Sequence, residues 1–458
     1  MPTLTFKSSI DAPAEALFAW HTRPGAFQRL IPPWEDVRVE KFEGIRDGKR
    51  AVLKTGIGPM RVTWIAEHHD YVEGRQFYDR QVKGPFRRWD HQHRMEPDGD
   101  ATSFLTDHIE YALPLGGLGE MVAGSSVRKK VERQFAYRHR ITQQDLALHQ
   151  RYNPDGQRLR IAVSGASGLI GSHLVPFLTA GGHEVMRLVR SQPTQEDEIY
   201  WNHRTGEIEA KKLEGLDAVI HLAGEPVLAP RWTEDKKMRI LASRVEGTRL
   251  LSETLARMEQ PPNVFLSASG VAYYGNRGAE KLTETSAPGK QGFLTVVSQD
   301  WEAATEPAAE AGIRTVPLRI GIVLSLTGGA LETMLPFFRV GLGGYVGDGT
   351  NYVPWITLDD VLGAIYHVLM TDVQAAVNLT APDPLPMAVF TQTLAKALHR
   401  PSLFKLPAPL AKLVTGEVAR EVLVTSNRVL PQRLQQTGYT FQFRDLASAL
   451  PHLLGQVP

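Results

Sequence analysis

The sequence predicts an α/β fold, a doubly wound parallel sheet, with a smaller α+β domain ahead of it and a short, mainly helical region behind. Three observations carry this. Between about Arg158 and Pro384, short apolar runs alternate with helical patterns: Leu159–Ser164, Glu184–Val189, Ala218–Leu222, Val264–Ser267 and Thr315–Leu324 read as strands buried on both faces. The first run leads into Gly165-Ala-Ser-Gly168-Leu-Ile-Gly171 and an apolar helix. Ahead of Arg158 the pattern changes to period-two alternation broken by Gly- and Pro-containing turns, the signature of an antiparallel sheet.

That leading region opens with a strand, Leu4–Ile10, and a helix start at Asp11-Ala12-Pro13. Six further alternating segments follow: Arg38–Phe42, Ala51–Thr55, Met60–Ala66, Arg75–Val82, Arg87–Met95 and Ser103–Tyr111. A helix from about Gly119 to Leu148 closes the region, with Val127, Val131 and Phe135 along one face. The polar run 149–157, containing Asn153-Pro154-Asp155-Gly156, reads as a linker. The expected domains are therefore 1–148, 158–384 and, where Pro401, Pro407, Pro409 and Pro431 interrupt helical patterns, 385–458. A chain of 458 residues, at roughly 150 per domain, fits that division.

The bulk properties exclude several classes. A formal net charge of +1 gives no field directed at nucleic acid or an anionic membrane. The absence of cysteine removes disulfides, thiolate nucleophiles and Cys-ligated metal centres, and fits a reducing compartment. The N-terminus lacks a signal-peptide pattern and no apolar run approaches the ~20 residues of a membrane span, so a cytoplasmic protein is expected. Oligomeric state is not legible.

The glycine motif is the strongest chemical signal. Placed between a strand and a helix, Gly165, Ser167, Gly168, Leu169, Ile170 and Gly171 form a turn that lets backbone approach a pyrophosphate, with the helix N-terminus presenting unpaired N–H groups to it. The next strand ends in Arg190-Ser191. A carboxylate there would take a ribose 2′-hydroxyl, whereas Arg190 offers a cation to a 2′-phosphate, so NADP(H) is favoured over NAD(H). Leu222, Ala223, Gly224 and Glu225 follow a third strand end and are expected along the cofactor. Ser267 and Ser269 end the next strand, and Arg319 lies in the run expected to close the floor.

Taken together, ASGLIGSHL, HLAGE, RWTEDKKMRILASRVEGTRLL, SASGVAYYG, DWEAA, PLRIGIVL, FRVGLGGYVGDG, WITLDD, NLTAP, and a tail with Gly416-Glu417 and LPQRL (430–434) resemble the atypical extended short-chain dehydrogenases, the epimerase family of nucleoside-diphosphate-sugar-epimerase-like proteins with its C-terminal domain of unknown function. The first 148 residues, through SSIDAPAEALFAW and LIPPW, resemble the START/Bet v 1-like, polyketide-cyclase-like helix-grip fold. The resemblance implies a Rossmann sheet holding NADPH, a small-molecule substrate, and an apolar ligand in the N-terminal domain. It also implies contact of Glu225 with the nicotinamide ribose. It further implies a Ser, Tyr and Lys for proton transfer, and here the pattern departs: Leu294 falls at the Tyr position and Ser298 at the Lys position. Ser269, Tyr273 and Tyr274 are the substitute candidates, with Lys290 upstream. Two readings stay open: an NADP(H)-dependent oxidoreductase or epimerase, and a non-catalytic NADPH-binding sensor.

Arg231 and Trp232 open a helix and are candidates for a substrate mouth, Arg231 for an anionic group, although helix-entry packing suits Trp232 better. His91 and His93 share a strand face with Trp89, but spacing along the chain places no third ligand, so no metal is expected. The basic run Arg128–Arg133 reads as the solvated side of an amphipathic helix.

Overall fold

In the computed structural model, which describes residues 2–57, 60–409, 413 and 416–456, the chain forms two compact units. One comprises residues 1–157 with 176–183 and 454–458; the other comprises 158–175 with 184–453. The parts of the C-terminal helical region at 410–412, 414–415 and 457–458 lie outside the described residues.

The first unit is built on a seven-stranded antiparallel sheet: β1 (Thr3–Ile10), β2 (Val37–Phe42), β3 (Arg50–Ile57), β4 (Met60–Val72), β5 (Gln76–Lys83), β6 (Arg88–Pro97) and β7 (Ser103–Ala112), in the order β1-β7-β6-β5-β4-β3-β2. All seven segments that alternate in sequence are strands. The reason is plainest in β7, where buried and half-buried residues alternate without interruption from Ser103 to Ala112. Helix α1 (Ala14–Thr22) buries Leu17, Phe18 and Trp20. Helix α2 (Gly117–Tyr152), 36 residues long, buries Val131 and Phe135, and Phe135 stacks on Phe6 of β1 at 4.9 Å. A buried ion pair, Arg29 to Asp145, binds both carboxylate oxygens at 2.8 Å.

The second unit carries an eight-stranded sheet: β8 (Arg160–Ser164), β9 (Glu184–Val189), β10 (Glu198–Asn202), β11 (Glu207–Ile208), β12 (Ala218–His221), β13 (Val264–Gly270), β14 (Arg314–Ile320) and β15 (Val377–Leu379). Its order is β11-β10-β9-β8-β12-β13-β14-β15, parallel except for the β10–β11 hairpin. The interior strands are buried on both faces, as their unbroken apolar runs require: all four residues of β12 and six of seven in β13 are buried. The order reverses between β8 and β12. That gap is the switch point where a crevice opens at the strands' carboxyl ends. Helix α3 (Gly171–Ala180) follows β8, and α4 (Glu234–Ala256) starts at Thr233, whose hydroxyl accepts from Lys236 N.

Three strands of this sheet were not anticipated, β10, β11 and β15, and the run expected at 315–324 is split. The chain changes partners at Gly321: Leu318–Ile320 pair with β15 in the main sheet, whereas Ile322–Leu324 pair with Trp355–Thr357, and a Cβ on Gly321 would lie 2.2 Å from the Pro354 carbonyl oxygen. Thr357 caps helix α5 (Leu358–Met370) by accepting from Asp360 N, the structural role its position suggests. The segment after residue 384 is stitched into this unit: Arg428–Val429 pairs with Lys281–Leu282, and Phe404–Leu406 with Gly344–Val346. The buried Asp360 accepts from the backbone of Gln442 and Phe443 and from the Tyr439 hydroxyl.

Candidate functional site

The crevice at the switch point is walled by the glycine turn. Gly168 N donates to Gly165 O at 2.9 Å, and Ser172 N donates to Gly168 O as α3 begins. Two positions demand glycine. Gly165 has φ +69°, and a Cβ there would stand 2.8 Å from the Leu222–Ala223 backbone. A Cβ on Gly171 would stand 2.2 Å from Gly165 O and 2.8 Å from Ala166 Cα. The turn, the neighbouring strand end and the helix are therefore in backbone contact, and the corner has the form that takes a pyrophosphate.

The same cleft is lined by Gly165, Ser167, Gly168, Arg190, Ser191, Leu222, Ala223, Gly224 and Glu225. Leu169, Ile170, Gly171, Ser267 and Arg319 are outside its lining. The structure adds His203 and Arg204, from the β10–β11 hairpin, and Arg239 of α4. Arg187 also reaches the cleft, but its guanidinium is held by Asp197 at 2.7 and 2.8 Å and by Glu198 at 3.2 Å. Arg190 and Arg204 are exposed and have no carboxylate partner among the described residues. Their charge is free for a ligand anion. Glu225 is tied to Lys236 at 2.7 Å, and both this contact and the Arg239 cation hold its carboxyl below the ordinary range.

Beneath the cleft floor, Ser164 Oγ lies 2.6 Å from His221 Nδ1 and accepts from the Leu222 and Ala223 backbone at 3.1 and 3.2 Å. With two N–H groups donating to it, the hydroxyl gives its own proton to the imidazole. Burial pushes the His221 pKa down to about 3, with the nearby His203 adding to the effect. A histidine neutral in the fold and basic when unfolded contributes stability that is complete above pH 6.5 and is lost as pH falls toward 3. Between pH 6.5 and 4 the loss is about 3 kcal/mol, and it should be absent in His221→Gln when urea midpoints are compared across that range.

Beyond the cleft, the hydroxyls considered for proton transfer occupy a buried network. Ser269 Oγ donates to Glu302 Oε1 at 2.7 Å; Arg319 grips both Glu302 oxygens at 2.8 Å. Arg319 also donates to the Tyr274 hydroxyl at 2.9 Å, and that hydroxyl donates to Asn378 Oδ1 at 2.7 Å. Tyr274 is fully buried, and burial raises its pKa to about 12 against the opposing pull of Arg319. Tyr273 differs: it is half-buried beneath the Arg319 guanidinium, 3.5 Å from its ring centroid, and its hydroxyl has no partner among the described residues. Ser298, at the expected Lys position, donates to Leu294 O. Trp232 is buried with its indole N–H on Val227 O, a packing role, while Arg231 is exposed.

The first unit has a cavity of its own, about 140 Å³ and mostly apolar, lined by residues that include Leu30, Phe42, Leu53, Trp64, Phe77 and Trp89. Its polar lining includes Asp79, His91 and His93, with His21, His68 and Arg138. Burial opposes protonation of His91, but the facing carboxylates of Asp79 and Asp107 outweigh it and hold its pKa at about 9.

A glycine corner at the switch point of a parallel sheet, with a cleft beside it, defines an NAD(P)-binding fold of the short-chain dehydrogenase type. Comparison with known proteins makes this specific. Residues 161–379 match the NAD dependent epimerase/dehydratase family, 406–453 match a domain of unknown function (DUF1731), and 10–136 match the polyketide cyclase / dehydrase and lipid transport family. Epimerase family protein Mb2239 of Mycobacterium bovis is 37% identical over 291 residues, 63% of this chain and 96% of its own length. The chain belongs to the epimerase family. The crystal structure of a nucleoside-diphosphate sugar epimerase from Corynebacterium glutamicum is similar over 99% of this chain and 90% of that one, with a TM-score of 0.80 and 30% identity. The human epimerase family protein SDR39U1, in a crystal structure with NADPH, covers 65% of this chain at 35% identity, TM-score 0.60, over its whole length. Among the described residues no helix is long and apolar enough to cross a membrane.

Proposed function

We propose that the chain binds NADPH in the switch-point cleft and acts as an oxidoreductase or epimerase-like enzyme on a small molecule. The observation that carries the cofactor choice is the pair of exposed guanidinium groups, Arg190 and Arg204, that have no carboxylate partner among the described residues, with Ser191 between the strand end and the cleft. The human relative's NADPH complex supports it. Backbone N–H groups at Gly165–Gly168 hold the pyrophosphate; Arg190, Ser191 and Arg204 take the 2′-phosphate; Ala223, Gly224 and Glu225 run along the ribose toward the nicotinamide. When bound, the nucleotide supplies hydride chemistry. The chain's own contribution is a proton, assigned to Tyr273, since Ser269 and Tyr274 are committed to the Glu302–Arg319 network.

Calorimetric titration tests the cofactor reading. Charge-assisted bonds to a phosphate are worth about 1.5–3 kcal/mol, so Arg190→Ala should weaken NADPH roughly 10- to 100-fold while leaving NADH within about twofold. Equal loss for both nucleotides would refute it. Oxidation of NADPH by a carbonyl panel that disappears in Tyr273→Phe would support the enzymatic reading. The immobilised Ser269 and Tyr274 favour a second one, a protein that binds NADPH without turnover; tight binding with no oxidation across the panel would establish that instead.

A further inference from the structure

We infer that Asp79, His91 and His93 form a site for one divalent first-row transition ion, of the zinc or ferrous type, at the polar end of the N-terminal cavity. The inference is independent of the nucleotide site. Strand register assembles the three ligands: Asp79 of β5 lies opposite His91 of β6, and His93 follows two residues on, so all three point to one face. Their ligand atoms lie within 4.8 Å of one another. Asp79 Oδ2 is 3.0 Å from His91 Nδ1 and 3.4 Å from His93 Nε2. Metal–ligand bonds of roughly 2.0–2.1 Å set neighbouring ligand atoms about 2.9–3.4 Å apart, the separation that Asp79 keeps from each imidazole.

The far side of each ring is already prepared. Asp107 of β7, opposite His93, has Oδ1 at 2.9 Å from His91 Nε2 and 2.7 Å from His93 Nδ1. Its other oxygen lies 2.6 Å from His139 Nε2, and His139 Nδ1 lies 2.8 Å from Ser8 Oγ. A carboxylate that accepts the outer N–H of each imidazole fixes the tautomer and aims the inner lone pairs at the ion.

Asp79, His91 and His93 line the cavity and Asp107 does not, so the remaining coordination positions open into the cavity, whose mostly apolar walls also carry His21, His68 and Arg138. Two His and one carboxylate with open positions suit zinc, iron or cobalt rather than calcium or magnesium. The ligand class is an apolar molecule carrying a carbonyl or hydroxyl oxygen, its body in the cavity and its oxygen on the ion.

The test uses the full chain, stripped with a chelator and titrated with Co²⁺ and Zn²⁺. One equivalent of each should bind, with visible cobalt d–d bands that shift when azide enters an open position. His93→Gln and Asp79→Asn should weaken binding at least about 100-fold, and Asp107→Asn about 10- to 100-fold, with far-UV circular dichroism checking the fold. Should those variants fail to fold, zinc-edge X-ray absorption of the wild-type chain decides: two imidazoles and a carboxylate oxygen support the site. Substoichiometric binding, an absorption spectrum without imidazole, or affinity unchanged in folded variants would overturn it. Bands unmoved by azide would overturn the open positions.

Discussion

Replacing Gly171 by alanine should weaken NADPH binding at least about 100-fold, near 3 kcal/mol, while leaving the second unit folded. The added Cβ would start 2.2 Å from Gly165 O, a backbone atom that cannot swing aside as a side chain can. Relief requires the glycine turn to lift from the first turn of α3, and overpacking of that kind costs about 1–3 kcal/mol. The same movement displaces the N–H groups that would meet the pyrophosphate, so affinity should fall further than stability. Gly168→Ala is the internal control: its Cβ would lie 3.2 Å from the same oxygen, and the loss should be several-fold smaller. Fluorescence titration of NADPH against both variants, with thermal denaturation alongside, separates binding from folding. Equal affinities for the two variants would show that the corner does not set the nucleotide's position.

The second large effect lies outside the cleft. Glu302→Ala should destabilise the nucleotide-binding unit by about 3–5 kcal/mol. The substitution leaves Arg319, itself only 5% exposed, without its carboxylate, and strips the Ser269 hydroxyl of its acceptor. Breaking a buried pair costs much more than the pair is worth, so Glu302→Met combined with Arg319→Met should recover most of the loss. The unfolding transition that NADPH shifts identifies the relevant unit. A single variant as stable as the wild type would mean that water reaches Arg319. The same network explains why Ser269 and Tyr274, at the end of β13 where a proton donor belongs, present no free hydroxyl.

How much of this is legible in the chain depends on whether the information is local. All seven strands of the first sheet show in the residues because each has one wet face and one dry one. The glycine corner shows because a strand, a turn and a helix adjoin in sequence. What was missed is set by pairing between distant segments. Glu198–Asn202 is a five-residue run with no alternation, and with it went the hairpin that brings His203 and Arg204 to the cleft. Val377–Leu379 is three residues whose strand character comes wholly from β14 beside it. His91 and His93 were visible as a pair on one face, but Asp79 joins them only through the register of β5 on β6, which spacing along the chain does not encode. Likewise, the sequence places Tyr274 after a strand end but gives no sign of Asn378, the residue that occupies its hydroxyl.

The sheets end in ways that affect how the chain behaves at high concentration. A long, flat, unpaired strand is an invitation for a second molecule to add itself in ladder fashion. Here the nucleotide-binding sheet stops at the two residues of β11 on one flank and the three of β15 on the other. In the N-terminal unit, β2 is kinked by a register shift between Val39 and Lys41 and studded with Arg38, Glu40 and Lys41. Three of the four rims therefore offer little uninterrupted backbone to template a partner; the fourth, β1, presents eight residues of regular backbone and is the edge where a second molecule would add.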